Sequence, residues 1–341
     1  MAKFLLRKSS VIEQFKIVKR YCDEVSFSAK TNYEVAKVME AATDCTFNLH
    51  FAAEIEKVKD VSRIWFFPQG WNEEEAKEVL SKEVRKFVVD NENDLHVLLA
   101  VLKKEDVIDL LLRMKLKERS IHTGRYYVYG MNAAKVNRLV QELRGNERIG
   151  RLGVHFHRKS QNISEWNLLY ELEQILEKET LEAIDLLDIG GGIPIQYKNF
   201  EAKVHERIFR EITTLRGWLS KYRTKLIIEP GRFIAGPAIK LLTRVKNVHD
   251  GTIIVDASVY NSAIDTFVVH HKLRVEGELP PGHGIAYTVK GYTPCSADIF
   301  RYRVYLNEVK RGDELVFLNA GAYNFTSDFC SLSKIPTEVI E

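Results

Sequence analysis

Four short stretches of this 341-residue sequence carry side chains that could serve a single chemistry. Ala29-Lys30-Thr31-Asn32 offers a lysine amine, the group that condenses with an aldehyde. His155-Phe156-His157-Arg158-Lys159-Ser160 offers an imidazole able to stack on a flat ring. Asp188-Ile189-Gly190-Gly191-Gly192-Ile193-Pro194 offers three glycines, whose successive backbone N–H groups can approach an oxyanion closely and form a nest. Glu229-Pro230-Gly231-Arg232 offers a carboxylate beside a planar guanidinium fork suited to phosphate. A phosphorylated heteroaromatic ring accounts for all four. Its phosphate would take the glycine loop and Arg232, its face His157, its aldehyde Lys30 and its ring nitrogen Glu229. A carboxylate in that last place favours the protonated nitrogen, which makes the ring a strong electron sink.

Taken singly, each feature has an ordinary explanation. A lysine ending a strand is usually a solvated charge, a glycine run usually a tight bend, and a lone histidine usually a packed structural residue. Their joint placement argues otherwise. Strand-like runs occur at 24–29, 45–49, 62–67, 86–89, 108–113, 151–156, 184–189 and 225–229, and the four stretches follow the first, sixth, seventh and eighth of them. The runs are continuously apolar rather than alternating, the pattern of strands buried on both faces. Segments with helical spacing lie between most of them, at 33–42, 73–84, 94–103, 131–144, 164–180 and 202–221. Asn91 or Asn93 can cap the third of these, and Ser164 with Glu165 opens the fifth. Eight strand–helix repeats predict a parallel (β/α)8 barrel, in which catalytic groups sit at the C-terminal strand ends; a doubly wound open sheet is the alternative.

After about residue 238 the texture changes to short strand-like runs at 252–256, 285–289, 300–306 and 314–318. Pro280-Pro281-Gly282 and Arg311-Gly312-Asp313 mark turns between them. The reading is α/β: a barrel over 12–237 and a smaller all-β domain over 238–341, joined by residues 1–11 through the strand-like KFLL. Lys and Arg (50) nearly balance Asp and Glu (47), so neither charge nor composition points to nucleic acid. The four cysteines, Cys22, Cys45, Cys295 and Cys330, form no metal-ligand spacing and no disulfide framework. The N-terminus does not read as a signal peptide and no stretch has membrane-spanning length, so a cytoplasmic protein without metal is expected.

SFSAKTN, GVHFHRKSQ, DIGGGIP, EPGRF and NAGAYNF occur in the order found in the fold-type III pyridoxal-phosphate decarboxylases. The sequence resembles that family, which includes the ornithine, arginine, diaminopimelate and carboxynorspermidine decarboxylases, over nearly its whole length. The resemblance implies pyridoxal phosphate as cofactor and the following roles. Lys30 matches the Schiff-base lysine, in SAKTN where the family reads AVKAN. His157 matches the ring-stacking histidine, and Ser160, in HRKS for HVGS, a phosphate-contacting serine. Gly190, Gly191, Gly192 and Arg232 match phosphate binders, Glu229 the pyridinium partner, and Tyr323 in GAY a phosphate-contacting tyrosine. Arg113 and Glu54 match positions lining the lysine side of the pocket. A homodimer with shared active sites is also implied, because the GAY and cysteine-bearing segments complete the partner's pocket.

The departures bear on the reaction. The family reads Gly-x-x-Cys-x-x-x-Asp, with the cysteine reprotonating the product carbanion. Between Gly291 and Asp298 this chain has Pro294 at that position and Cys295 one residue later. Cys295 is taken as the proton donor, against the plainer reading of a packed cysteine, and Asp298 and Arg113 as substrate contacts. The acid that ornithine-selecting relatives carry appears here as Val269. Arg158 and Lys159 replace small residues; if they face the pocket, with His50, His270 and His271 as further donors, the distal end of the substrate is neutral or anionic, and otherwise both point to solvent. The resulting expectation is a decarboxylase of a diamino acid, or of a carboxylated or acylated derivative of one, in polyamine or related amine biosynthesis. A racemase and a non-catalytic cofactor carrier are the competitors. Barrel racemases pair the pyridine nitrogen with an arginine, and carriers resemble the barrel alone.

Overall fold

The computed structural model describes residues 1–116 and 129–341. The chain divides into two compact units, one of Phe15–Pro194 with Lys203–Gly231, the other of Met1–Gln14, Ile195–Ala202 and Arg232–Glu341.

Strand β1 (Lys3–Arg7) belongs to the second unit. The first unit is a closed barrel of eight parallel strands: β2 (Glu24–Ser28), β3 (Thr46–Leu49), β4 (Ile64–Phe66), β5 (Lys86–Val89), β6 (Ile108–Arg113), β7 (Ile149–His155), β8 (Leu186–Asp188) and β9 (Lys225–Ile228). Each strand-like run of the sequence overlaps one of them, with β7 starting two residues ahead of its run. The barrel closes where Glu24 and Val25 pair with Ile227 and Ile228, which excludes the open sheet. Continuous apolar runs are required because both faces are covered: Leu110, Leu111 and Leu112 of β6 are all fully buried. Trp65, Val88, Leu111, Leu186 and Ile227 from five strands form one interior cluster with Phe67. Burying each such side chain contributes about 1.5–3 kcal/mol. A Cβ on Gly153 would lie 2.3 Å from the Leu186 carbonyl, so β7 and β8 meet here only because the residue is glycine.

Local caps set where the functional stretches end. Asn32 accepts hydrogen bonds from the backbone of Glu34 (3.0 Å) and Val35 (3.2 Å) and so starts helix Tyr33–Ala42. A cap of this type is worth about 1 kcal/mol. It confines Lys30 to the single 3-10 turn Ala29–Thr31, directly after β2. Gly231 of the Glu229 stretch clears the same turn, since a Cβ there would lie 2.4 Å from Thr31 Oγ1. Of the two candidate caps for the next region, Asn91 is the one used, for helix Glu92–Val101.

The helix expected over 164–180 is broken. Asn162 Oδ1 takes the backbone N–H groups of Ser164 (3.3 Å) and Glu165 (3.0 Å), so a side-chain turn replaces the first helical turn. Helices form only at Leu168–Ile175 and Lys178–Ala183.

The second unit carries an eight-stranded sheet built from β1, β10 (Ile239–His249), β11 (Thr252–Val255), β12 (Arg274–Val275), β13 (Ile285–Lys290), β14 (Ile299–Leu306), β15 (Glu314–Leu318) and β16 (Thr337–Ile340). Its order is β12-β15-β10-β11-β13-β14, and β1 pairs antiparallel with β10 and parallel with β16. The KFLL segment thus joins this sheet. Phe300 and Phe317 stack at 4.7 Å in its core. The unit is mostly rather than wholly β, because short helices occur at Val259–Ser262 and Ile264–Val268. Among the described residues no helix is long and apolar enough to cross a membrane.

Candidate active site

The C-terminal ends of the barrel strands converge on a group of ionisable side chains. Lys30, after β2, has its Nζ 3.3 Å from Nε2 of His50, which follows β3. Glu54 holds this corner in shape. Its Oε2 accepts from the backbone of His50 (2.6 Å) and Phe51 (2.9 Å), and its Oε1 accepts from the Tyr33 hydroxyl. Burial alone would raise the Glu54 pKa, but these donors outweigh it and leave the carboxyl below its ordinary value. The Lys30 pKa is lowered by desolvation and by Arg113, against the opposing pull of Glu229 and Glu54. Burial and the neighbouring lysine bring His50 down to about 4, so its ring is neutral.

A second group lies at the ends of β7, β8 and β9. His155, Asp188 and Glu229 are all buried and bring one ligand-type atom each within 4.8 Å of the others. His155 Nε2 is 3.5 Å from Glu229 Oε1. That oxygen has no hydrogen-bond partner among the described residues, and neither has either nitrogen of His155. Burial pushes the Glu229 carboxyl up to about 7 and Asp188 well above its ordinary value, and the two carboxyls are hydrogen-bonded to each other. They titrate as a pair. Burial also takes His155 down to about 3 and His157 well below its usual range.

The glycine loop is tied to this group. Gly190 N–H donates to Asp188 Oδ1 (2.8 Å) and Gly191 N–H to His157 Nδ1 (3.0 Å). Two of the three amides expected to face an anion are therefore already engaged. The glycines are needed for room instead. A Cβ would lie 2.6 Å from the Phe156 carbonyl at Gly190, 2.5 Å from the Glu229 carbonyl at Gly191 and 2.8 Å from the Lys159 carbonyl at Gly192, and backbone cannot swing aside. Gly190 and Gly192 also have φ of +66° and +107°.

Arg113 ends β6, and burial lowers its pKa while Glu229 and Asp90 raise it. Ser160 is exposed on the loop after β7. Arg158 is neither a free pocket cation nor a solvated one. It is 4% exposed, pairs with the Glu171 carboxylate and donates to the Glu165 carbonyl (3.1 Å), while Lys159 pairs with Glu165 Oε1 (3.1 Å). Both charges are paired within the loop, so neither is a free cation for the distal end of a substrate.

In the second unit, Arg232 donates to both Asp265 oxygens (2.5 and 3.1 Å) and to the Tyr197 hydroxyl (2.8 Å), with its guanidinium 5.1 Å from the Tyr323 ring. The fork assigned to phosphate is thus engaged by a carboxylate. Cys295 Sγ is 3.2 Å from the Tyr260 hydroxyl, the chief cause of a lowered thiol pKa. Asp298 is fully buried and its oxygens accept from Val259 N (2.9 Å), Thr293 N (3.1 Å) and Thr293 Oγ1 (2.6 Å), so it braces the segments around Val259 and Thr293.

The pyridoxal-binding domain of the pyridoxal-dependent decarboxylases matches residues 8–236. The chain belongs to that family. It is 28% identical over 290 residues to a diaminopimelate decarboxylase of Aquifex aeolicus, a stretch covering 77% of this chain and 66% of that protein. It is 23% identical to the 2-[(L-alanin-3-ylcarbamoyl)methyl]-2-hydroxybutanedioate decarboxylase of Staphylococcus aureus, over 89% of this chain and 83% of that one. The same fold is seen in the Helicobacter pylori diaminopimelate decarboxylase complexed with L-lysine, with a TM-score of 0.83 and 19% identity over all of this chain and 92% of that one.

The cofactor of the family is pyridoxal phosphate, and the barrel mouth fits it on two counts. The orphaned, buried carboxyl oxygen of Glu229 suits a cation, and the Lys30 amine, its pKa lowered by desolvation, suits an aldehyde. His155 and Asp188 were not singled out by residue type, although both lie within the motifs GVHFH and DIGGG. Their shared burial with Glu229 is what marks them.

Proposed function

We propose that this pyridoxal-dependent decarboxylase family member removes CO2 from a diamino acid, or from a carboxylated or acylated derivative of one. The observation that carries this reading is the buried Glu229 carboxyl with an unpartnered oxygen. When bound, pyridoxal phosphate supplies an aldehyde for the substrate amine and a ring that takes up the electron pair left by departing CO2. Glu229, given a cation to face, becomes fully ionised and holds the ring nitrogen's proton in place. Lys30 is the covalent anchor, and its lowered pKa leaves more of its amine unprotonated and nucleophilic near neutrality. His157, fixed by the Gly191 N–H, presents its ring face. Arg113 offers a fixed cation to a substrate carboxylate, and Cys295 is the proposed proton donor. The roles of Ser160, Arg232 and Tyr323 at the phosphate rest on the sequence pattern.

Glu229 also weighs against a racemase, which would place an arginine at that nitrogen, and the second unit weighs against a bare carrier. The relatives named above support the substrate class, since one is named for diaminopimelate and another for an acylated diamino acid. Polyamine or related amine biosynthesis is the proposed setting. Four free cysteines fit a reducing, cytoplasmic compartment.

A homodimer with shared sites is the proposed assembly. In the second unit Phe267, Val268, Val269, Phe325 and Phe329 are exposed, and the Tyr260 ring stacks on Phe329 at 4.0 Å. An apolar cluster of this kind suits a second copy. Screening amino acids, free and acylated diamino acids among them, for CO2 release tests the activity. Release from none of them by cofactor-loaded protein overturns it. Mixing Lys30→Ala with Cys295→Ala protein should restore part of the activity, and no recovery would count against shared sites.

A further inference from the structure

His50 was read from the sequence only as one more donor near a substrate. The structure gives it a narrower position. Among the described residues it is the side chain hydrogen-bonded to the Lys30 amine, with Nε2 3.3 Å from Nζ. The ring is held from several sides. Its backbone N–H is taken by Glu54, which Tyr33 holds in turn, and Phe67 stacks on the imidazole at 5.4 Å with 24° between the planes. With the lysine ammonium as the donor, Nε2 is the accepting nitrogen and Nδ1 carries the ring hydrogen. Nδ1 is buried and without a partner among the described residues. A purely structural histidine would have both nitrogens satisfied.

We infer that His50 is a catalytic residue of the proposed reaction, the base that takes a proton from the Lys30 ammonium and the acid that returns it. The inference rests on Lys30 being the cofactor lysine. In the forward step an Nζ–H bond breaks and its electron pair stays on nitrogen, giving the free amine. The proton forms an Nε2–H bond, and the imidazole becomes imidazolium. The return step reverses both bonds, so no other reactant is needed.

The surroundings suit a short-lived proton store. Glu54 of the same loop, Arg113 from β6 and His155 from β7 face the ring together with Lys30. Burial and the three cationic or basic neighbours keep the imidazole neutral at rest and make it quick to return a proton, while Glu54 is the one group that favours its charged form. The same setting lowers the lysine, which makes its ammonium the readier proton donor.

The test uses the full chain freed of cofactor and reloaded with pyridoxal phosphate. Capture by Lys30 is followed by stopped-flow absorbance and located by borohydride trapping and peptide mapping. Positioned acid–base groups contribute on the order of 10²–10⁴ in rate. Capture should therefore slow about 100-fold or more in His50→Gln and His50→Ala. Added imidazole should restore much of the rate in His50→Ala and leave wild type unchanged. Wild-type capture rates in both variants overturn the inference. So does a slow rate that imidazole does not restore in a variant whose unfolding midpoint matches wild type. Pyridoxyl found on a lysine other than Lys30 in the wild-type chain overturns the cofactor assignment itself, and His50 with it. Pyridoxyl on Lys30 at equal rates in all three proteins overturns His50 alone.

Discussion

Glu229 at the barrel mouth and Asp298 in the sheet unit are both buried carboxyl groups, 8% and 0% exposed, yet they are treated in opposite ways. Asp298 receives three hydrogen bonds from two neighbouring segments, as a buried polar group must if it is not to cost stability. Glu229 is left with one oxygen unpartnered beside a second acid and a neutral histidine. The shift of its pKa from 4.5 to about 7 corresponds to ~3 kcal/mol of unfavourable ionisation. A cationic ring nitrogen would relieve that penalty, so the site gains most when its cofactor binds. Of these two acids, the saturated one holds the fold and the under-satisfied one marks where a ligand belongs.

Exchanging each acid for its amide gives the sharpest contrast. Glu229→Gln should lower kcat by roughly 10²–10³, because the lost charge stabilises mainly the transition state, while the unfolding free energy holds or rises. Asp298→Asn should do the reverse. Its amide N–H2 would oppose donors that now meet a carboxylate, costing about 2–4 kcal/mol in urea unfolding, with kcat per folded molecule unchanged. Similar behaviour in the two variants would break the comparison.

The comparison also predicts a pH dependence. In cofactor-free protein the folded-state Glu229 pKa is raised, so the native state binds more protons than the unfolded chain between pH 4.5 and about 7. Its contribution is therefore largest at low pH and is lost as pH rises through that window, by ~3 kcal/mol in all. Asp188 acts in the same direction. Unfolding at pH 5 and pH 8 should show wild type losing more stability than Glu229→Gln, and cofactor should reduce the difference. Equal losses would show that Glu229 ionises freely.

The smallest effect concerns the sheet unit alone. The Tyr260 hydroxyl is hydrogen-bonded to Cys295 and is the first cause of its lowered thiol pKa. Tyr260→Phe should slow alkylation of Cys295 by a few-fold near neutral pH and move its pH profile upward. An unchanged profile would mean the hydroxyl does not tune this thiol.

Much of the molecule follows from the sequence alone. The eight barrel strands are legible because burial on both faces demands uninterrupted apolar runs, a local property of each segment. The residues of the mouth are legible because each closes one of those runs: Lys30 after β2, His157 after β7, Gly190 after β8 and Glu229 after β9. Side-chain pairing is a different matter. That His50 meets Lys30 from 20 positions away, that Asp265 occupies the Arg232 fork, that Glu165 and Glu171 neutralise Arg158 and that Asp298 is walled in by Thr293 and Val259 was decided only by tertiary structure. A strand's periodicity fixes which way a side chain leaves the backbone. Which partner it meets depends on where other strands and loops bring their own groups within about 3 Å, the range over which a hydrogen bond or ion pair forms.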